Sequence, residues 1–367
     1  MMYDTTPDKL ATTLPRSPKS VIAAKPVNLA LQGGGSHGAF TWGVLDALLE
    51  SGEIDFTSVS GTSAGAMNAV VMSYGLTVGM TEGREAALNK AREVLENFWR
   101  QVSVAAGNTT FQSPILSSPI FNNPLTEWAK AQSSHFDLFT RMISPYQFNP
   151  LNINPLRTVL ERTVDFELLR KKCPIDLHIC ATHIKSGKAR IFTNKEINAD
   201  TVMASACLPF LFQAVEIEGE HYWDGGYTGN PPLFPLFTNK ESMDILLVQI
   251  SPLSREDIPS SVAEIVDRAN EISFNMPLLA ELRAINFVVR QLEQKNLPRE
   301  TYRSIRMHVI EAAKTMQSYS ADSKLKTDWS FLCELRDLGR ETAKNWLKKH
   351  RDNLGVISTM DIAKHLR

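Results

Sequence analysis

Apolar residues in this chain alternate between short continuous runs and helically spaced groups over its first 250 positions. Val27 to Leu31 (VNLAL) is an apolar run closed by glycines, which predicts a buried strand. Gly38 to Glu50 places Ala39, Phe40, Val44, Leu45, Leu48 and Leu49 at helical spacing. Ile54 to Ser60 predicts a second strand, Ala64 to Tyr74 a helix of small residues, and Thr81 to Val102 an amphipathic helix. Ile175 to His183 and Lys188 to Thr193 predict two strands around Ser186-Gly187. Ala199 to Cys207 predicts a short helix ended by Pro209, and Val215 to Ile217 and His221 to Trp223 flank a turn at Gly219. Ile245 to Ile250 (ILLVQI) has the unbroken apolarity of a strand buried on both faces. From Val262 onward helical patterning dominates, and His308 and His350 fall within it. Strands alternating with helices predict a layered α/β fold with a mostly parallel sheet, followed by a helical C-terminal extension.

This pattern divides the chain into a flexible arm at 1–25, an α/β domain at 26–255 and a helical region at 256–367. Residues 103–155, rich in Asn and Pro, predict an irregular insertion in the domain near the mouth of a site. At 367 residues, with 43% hydrophobic and 22% charged positions, the chain has the composition of a soluble globular protein that needs no staple to fold. Its net charge of −1 argues against nucleic-acid binding, which needs clustered cations. Cys173, Cys180, Cys207 and Cys333 form no CxxC pair and no zinc spacing, so neither metal nor cofactor is expected, and the thiols read as buried and reduced. The N-terminus shows no apolar export segment. The most apolar stretch, Ala66 to Met80, has 15 residues against the ~20 that span a bilayer. These features predict a cytoplasmic location.

Three motifs carry chemistry. Gly61-Thr62-Ser63-Ala64-Gly65 follows a predicted strand and opens a predicted helix, the setting of a nucleophile elbow. The helix N-terminus behind Ser63 adds partial positive charge where an oxyanion would form. Gly33-Gly34-Gly35-Ser36-His37-Gly38 also lies between strand and helix. Such a loop cradles a dinucleotide pyrophosphate or, alternatively, offers backbone N–H groups as an oxyanion hole. The dinucleotide reading wants an acid ~20 positions on, at the end of the second strand. Here that strand runs straight into the elbow, which favours the oxyanion hole. Asp224-Gly225-Gly226 is an ordinary hairpin signal by itself, yet beside an activated serine its carboxylate is a candidate base.

Together the three motifs resemble those of the patatin-like phospholipases, a family of lipid acyl hydrolases. Ala204-Ser205-Ala206-Cys207-Leu208-Pro209 and Asn230-Pro231-Pro232 add to the likeness, which covers roughly residues 27–250. The resemblance implies a three-layer α/β/α sandwich and hydrolysis of phospholipid or other acyl-lipid esters, with peripheral contact at a membrane. It makes Ser63 the nucleophile and Asp224 its partner in a Ser-Asp dyad. It makes Gly33, Gly34, Gly35, Ser36, His37 and Gly38 the oxyanion loop, and Gly61, Gly65, Gly225 and Gly226 motif glycines. Gln32 and His37 stand where the family usually has Asp and Arg. A dyad without histidine needs Asp224 in a partly dry site, because an exposed Asp at pKa ~3.9 is a poor base for a hydroxyl.

Two other readings compete: an α/β-hydrolase with a Ser-Asp-His triad, and a lipid-binding protein without catalysis. His178, His183 and His221 read mainly as structural, and the Met and Phe residues of 273–289 as core. Residues 340–367, with seven Lys/Arg against three Asp/Glu, read as a solvated helix face or a contact for anionic lipid.

Overall fold

The computed structural model describes residues 23–108 and 144–366, except 240, 256, 257 and 299. Most of the expected arm, and residues 109–143 of the expected insertion, lie outside the described residues. Eight strands form one sheet in the order β5-β6-β3-β2-β1-β7-β8, with β4 pairing on β3. They are β1 (Lys25–Leu31), β2 (Ile54–Thr62), β3 (Asp176–His183), β4 (Lys188–Thr193), β5 (Val215–Ile217), β6 (Glu220–Asp224), β7 (Asp244–Gln249) and β8 (Arg306–Glu311). β1, β2, β3, β7 and β8 are parallel, whereas β4, β5 and β6 are antiparallel to their neighbours.

Helices α1 (Gly38–Ser51), α2 (Ala64–Gly79), α3 (Arg84–Asn108), α4 (Pro155–Thr163), α5 (Phe166–Lys172), α6 (Ala199–Ser205), α7 (Val262–Glu293) and α8 (Trp329–His350) accompany the sheet. The two-residue period of a strand sends side chains to opposite faces, and two apolar clusters result. Val27, Leu29, Leu31, Leu246 and Val248 join the cluster containing residues of α1, α2, α3 and α8. Ala30, Ile245, Leu247 and Met307 join the other, with Leu278, Leu282 and Ile285 of α7. The expected α/β/α layering is therefore present.

The region beyond residue 262 is mostly helical but contains one strand the pattern did not predict. β8 pairs in parallel with β7 from Asp244↔Arg306 to Gln249↔Glu311. His308 thus stands on a strand, not on a helix, fully buried and hydrogen-bonded to Asp244 Oδ1 at 2.9 Å. β8 and α8 lie past the expected boundary at 255, yet they belong to the sheet and to its covering layer. α3 also continues to Asn108, past the expected start of the insertion at 103.

One detail of the sheet places the site. β2 pairs with the first part of β3, up to Thr62↔Cys180, and β6 pairs with the remainder from Ala181↔Asp224. β4 occupies the opposite edge of β3 over 178–183. β2 and β6 therefore share one edge of β3 and meet head to head, so Ser63, just after β2, arrives beside Asp224 at the end of β6.

Candidate active site

Ser63 turns the chain from β2 into α2 with φ 54° and ψ −123°, a combination that costs a non-glycine residue on the order of 1–3 kcal/mol. Close packing enforces the turn. A Cβ on Gly65 would lie 2.1 Å from the Leu31 carbonyl oxygen, and one on Gly61 would lie 2.8 Å from the Gly65 carbonyl oxygen. The Ser63 N–H donates to Ser205 Oγ at 3.0 Å, which ties the elbow to the end of α6. In the sequence Ser205 belongs to the stretch Ala204 to Pro209, whose pattern assigns it no role.

The glycine loop follows β1, one strand over. A Cβ on Gly33 would sit 2.7 Å from Ser63 Cβ, so the two loops are in direct contact, as consecutive parallel strands require. Three of the six expected oxyanion residues have their N–H groups engaged elsewhere. Gly33 N–H donates to Asn230 Oδ1 at 2.7 Å, His37 N–H to the Gly34 carbonyl at 3.3 Å, and Gly38 N–H to the Gly35 and Ser36 carbonyls. The loop winds into a short helical turn at Gly35–His37, and such a turn satisfies its last donors internally. The N–H groups of Gly34, Gly35 and Ser36 have no acceptor among the described residues, and these three line the cavity.

Gln32 anchors the loop. Its Oε1 accepts from the Ile250 and Ser251 N–H groups, both at 2.8 Å, and its Nε2 donates to Asn275 Oδ1 of α7 at 3.0 Å. The amide in place of an acid thus joins β1, β7 and α7 at the carboxyl edge. His37 turns away from the site: its Nε2 is 2.7 Å from Ser323 Oγ, and its ring lies against Tyr319 and Phe331. Burial, with help from Lys324 and Arg255, lowers its pKa to about 3, so His37 is neutral and supplies no charge to the loop.

Asp224 is fully buried. Its Oδ1 accepts from the Gly226 N–H at 2.8 Å, while Oδ2 has no hydrogen-bond partner among the described residues. Burial raises its pKa from 3.8 to about 7, opposed by the Gly226 N–H and the nearby Ser63 hydroxyl. Serine and carboxylate are close enough to interact without closing a full hydrogen bond, a common state of such pairs before substrate binds. Gly225 and Gly226 are both tightly covered: a Cβ on either would lie 2.2 Å from Cys180 O and from the Phe274 ring, respectively.

Ser63, Asp224 and Gly33 to Ser36 open into a cavity of about 350 Å³. Its wall is largely apolar, with Met67, Phe98, Trp99, Leu156, Phe212 and Phe274 among its residues. Both described flanks of the expected insertion reach it, through Val102 and Ala105 on one side and Asn154 and Pro155 on the other. No histidine is among the described residues that line it. His308 pairs with Asp244, the first residue of β7, toward the end of the sheet opposite Ser63. His183 contacts Ser186 and Glu220, and His221 faces Glu216 at 3.8 Å. Cys180 and Cys207 are buried thiols whose pKa burial raises to about 12, whereas Cys173 and Cys333 are only half-buried. The described residues contain no cluster of three metal-ligating side chains.

A glycine loop, a strained serine turn and a buried carboxylate on one edge of an α/β/α sheet define an ester-hydrolysing enzyme. The chain belongs to the patatin-like phospholipase family, whose sequence profile matches residues 29–237, more than half of its length. Among solved structures it is similar to VipD from Legionella pneumophila, at 16% identity and a TM-score of 0.42, covering 89% of this chain and 68% of that one. It is also similar to the ExoU–SpcU complex of the type III secretion system of Pseudomonas aeruginosa. There the identity is 14% and the TM-score 0.36, covering 90% of this chain and 52% of that one. No curated protein matches the sequence.

Proposed function

We propose that the protein is a serine acyl hydrolase that cleaves acyl-lipid esters through a Ser63–Asp224 dyad and an acyl-enzyme intermediate. The buried Asp224 carboxyl next to Ser63, with Oδ2 unpartnered among the described residues, is the observation that carries this reading. Ionised, it accepts the Ser63 proton as Oγ attacks the ester carbonyl. The N–H groups of Gly34, Gly35 and Ser36 then take the developing oxyanion, a contact stronger in the transition state than in the ground state. The protonated carboxyl hands its proton to the departing alcohol. It next accepts one from the water that attacks the acyl-enzyme and returns it to Ser63 Oγ as the acyl bond breaks, which regenerates the serine and the ionised carboxylate and releases the fatty acid. The apolar wall suits an acyl chain, and its volume is that of an ordinary ligand site.

The test is a lipid panel assayed with wild type and Ser63→Ala. The variant removes one hydroxyl and should fold normally, yet lose about a thousandfold or more in acyl hydrolysis and fail to label with a fluorophosphonate probe. Retained hydrolysis by Ser63→Ala would reject the assignment.

A further inference from the structure

The wall of the cavity carries a charge that acyl transfer does not require. Its charged residues, among those described, are Asp224, Asp267, Glu271 and Lys324. Asp224 belongs to the proposed reaction. Glu271 is neutralised by Arg255 at 2.8 Å and Arg268 at 2.7 Å, neither of which lines the cavity. Asp267 is itself engaged. Lys324 is the one cation among the described lining residues, and no carboxylate among them comes within 4.0 Å of its ammonium.

The segment holding Lys324 is docked onto the glycine loop. A Cβ on Gly35 would lie 2.3 Å from the Lys324 carbonyl oxygen, and neighbouring Ser323 meets His37. Lys326, two positions on, packs over the Phe331 ring at 5.0 Å, so it is Lys324 that remains for the cavity. Burial lowers the pKa of Lys324, with Arg255 acting in the same direction and Glu271 and Asp267 against it. A partly dry ammonium with no carboxylate within ion-pair distance among the described residues gains from an anion brought to it.

We propose that Lys324 is the phosphate-recognition residue of this site, holding the phosphodiester of a phospholipid whose acyl ester lies between Ser63 and the glycine loop. The proposal rests on the acyl-hydrolase reading and narrows its substrate from acyl lipids to those carrying phosphate. In a glycerophospholipid only the glycerol separates the phosphate from the reacting esters. The residue that carries this cation lines the cavity and has its backbone against the oxyanion loop, a placement that suits the head group, and lysine meets phosphate as a point charge.

The experiment measures kcat and KM for phosphatidylglycerol and for diacylglycerol with matched chains, in micelles of one neutral detergent. Wild type is compared with Lys324→Met, Lys324→Gln and Lys324→Arg. Either uncharged variant should raise the KM for phosphatidylglycerol about tenfold or more, well beyond any change for diacylglycerol, and Lys324→Arg should restore most of the loss. An unchanged KM, or an equal rise for both lipids, would overturn the proposal. Inorganic phosphate at the concentration of the lipid should not compete, because acyl chains hold the lipid phosphate in place. Competition would mark a free-phosphate site and overturn it too. Hydrolysis that survives in Ser63→Ala would bring down the underlying reading. Hydrolysis that depends on Ser63 but not on the charge at 324 would bring down this proposal alone.

Discussion

Asp224 is fully buried at the wall of the cavity, with one carboxylate oxygen on the Gly226 N–H and the other without a partner among the described residues, and burial moves its pKa to about 7. The folded chain therefore binds this proton more tightly than the unfolded chain, for which the value is 3.8. The group favours the folded state fully below pH 3.8 and loses that contribution as pH rises through about 7. Catalysis runs the other way, since the proposed base must be ionised. The profile of kcat/KM should rise with one proton through about pH 7 and level off above it; a profile flat from about pH 5 to 8 would contradict the role. Such a limb falls near the histidine range, so only substitutions tell the two apart. At this scale Ser63, its flanking glycines and Asp224 were legible, because a strand–turn–helix elbow and an Asp-Gly turn are local patterns. The supports were not. Ser205 reaches Ser63 across 142 positions and Asn230 reaches Gly33 across 197, separations that leave no local signal.

Most strands and helices followed from hydrophobic period, but their meeting points did not. The head-to-head arrangement of β2 and β6 on one edge of β3 depends on β3 exchanging partners halfway along its length. β8 was missed because Arg306–Glu311 (RMHVIE) is short, carries three ionisable side chains without a strict two-residue period, and lies in a helical background, while its pairing partner is some sixty positions earlier. The crossing of α1 and α8 likewise rests on two glycines. A Cβ on Gly43 would lie 1.9 Å from the Arg336 carbonyl oxygen, and one on Gly339 would lie 2.1 Å from that of Phe40. Backbone cannot yield as a side-chain end can, so Gly339→Val should destabilise the protein by about 2 kcal/mol or more in urea unfolding. A loss below about 0.5 kcal/mol would show that the helices separate more easily than this packing allows.

The whole molecule draws its sheet from residues 25 to 311, and α8 seals the face that carries α1. The basic excess of 340–367 is matched only in part: Arg340 and Lys344 meet Glu50 and Arg351 meets Glu53, whereas Lys348, Lys349 and Lys364 have no ion pair among the described residues. α7 contains a stretch, Glu264–Glu293, long and apolar enough to cross a membrane by length and composition, yet Leu278, Leu282 and Ile285 are buried against the sheet. The layered architecture was legible from the alternation of strands and helices. The cavity was not, because its wall gathers residues from Gly33 to Thr327 that only the folded sheet brings together.

The central claim is that a carboxylate alone activates the serine. It is tested most directly by lipid hydrolysis in Asp224→Asn beside single alanine variants of His37, His178, His183 and His221. Asp224→Asn preserves the size of the side chain but cannot accept the proton, so activity should fall by about a thousandfold or more with the fold retained. Each histidine variant should lose no more than about tenfold, because imidazole takes no part in the dyad. A single histidine substitution as damaging as Asp224→Asn would contradict the dyad and put a Ser-His-Asp triad in its place.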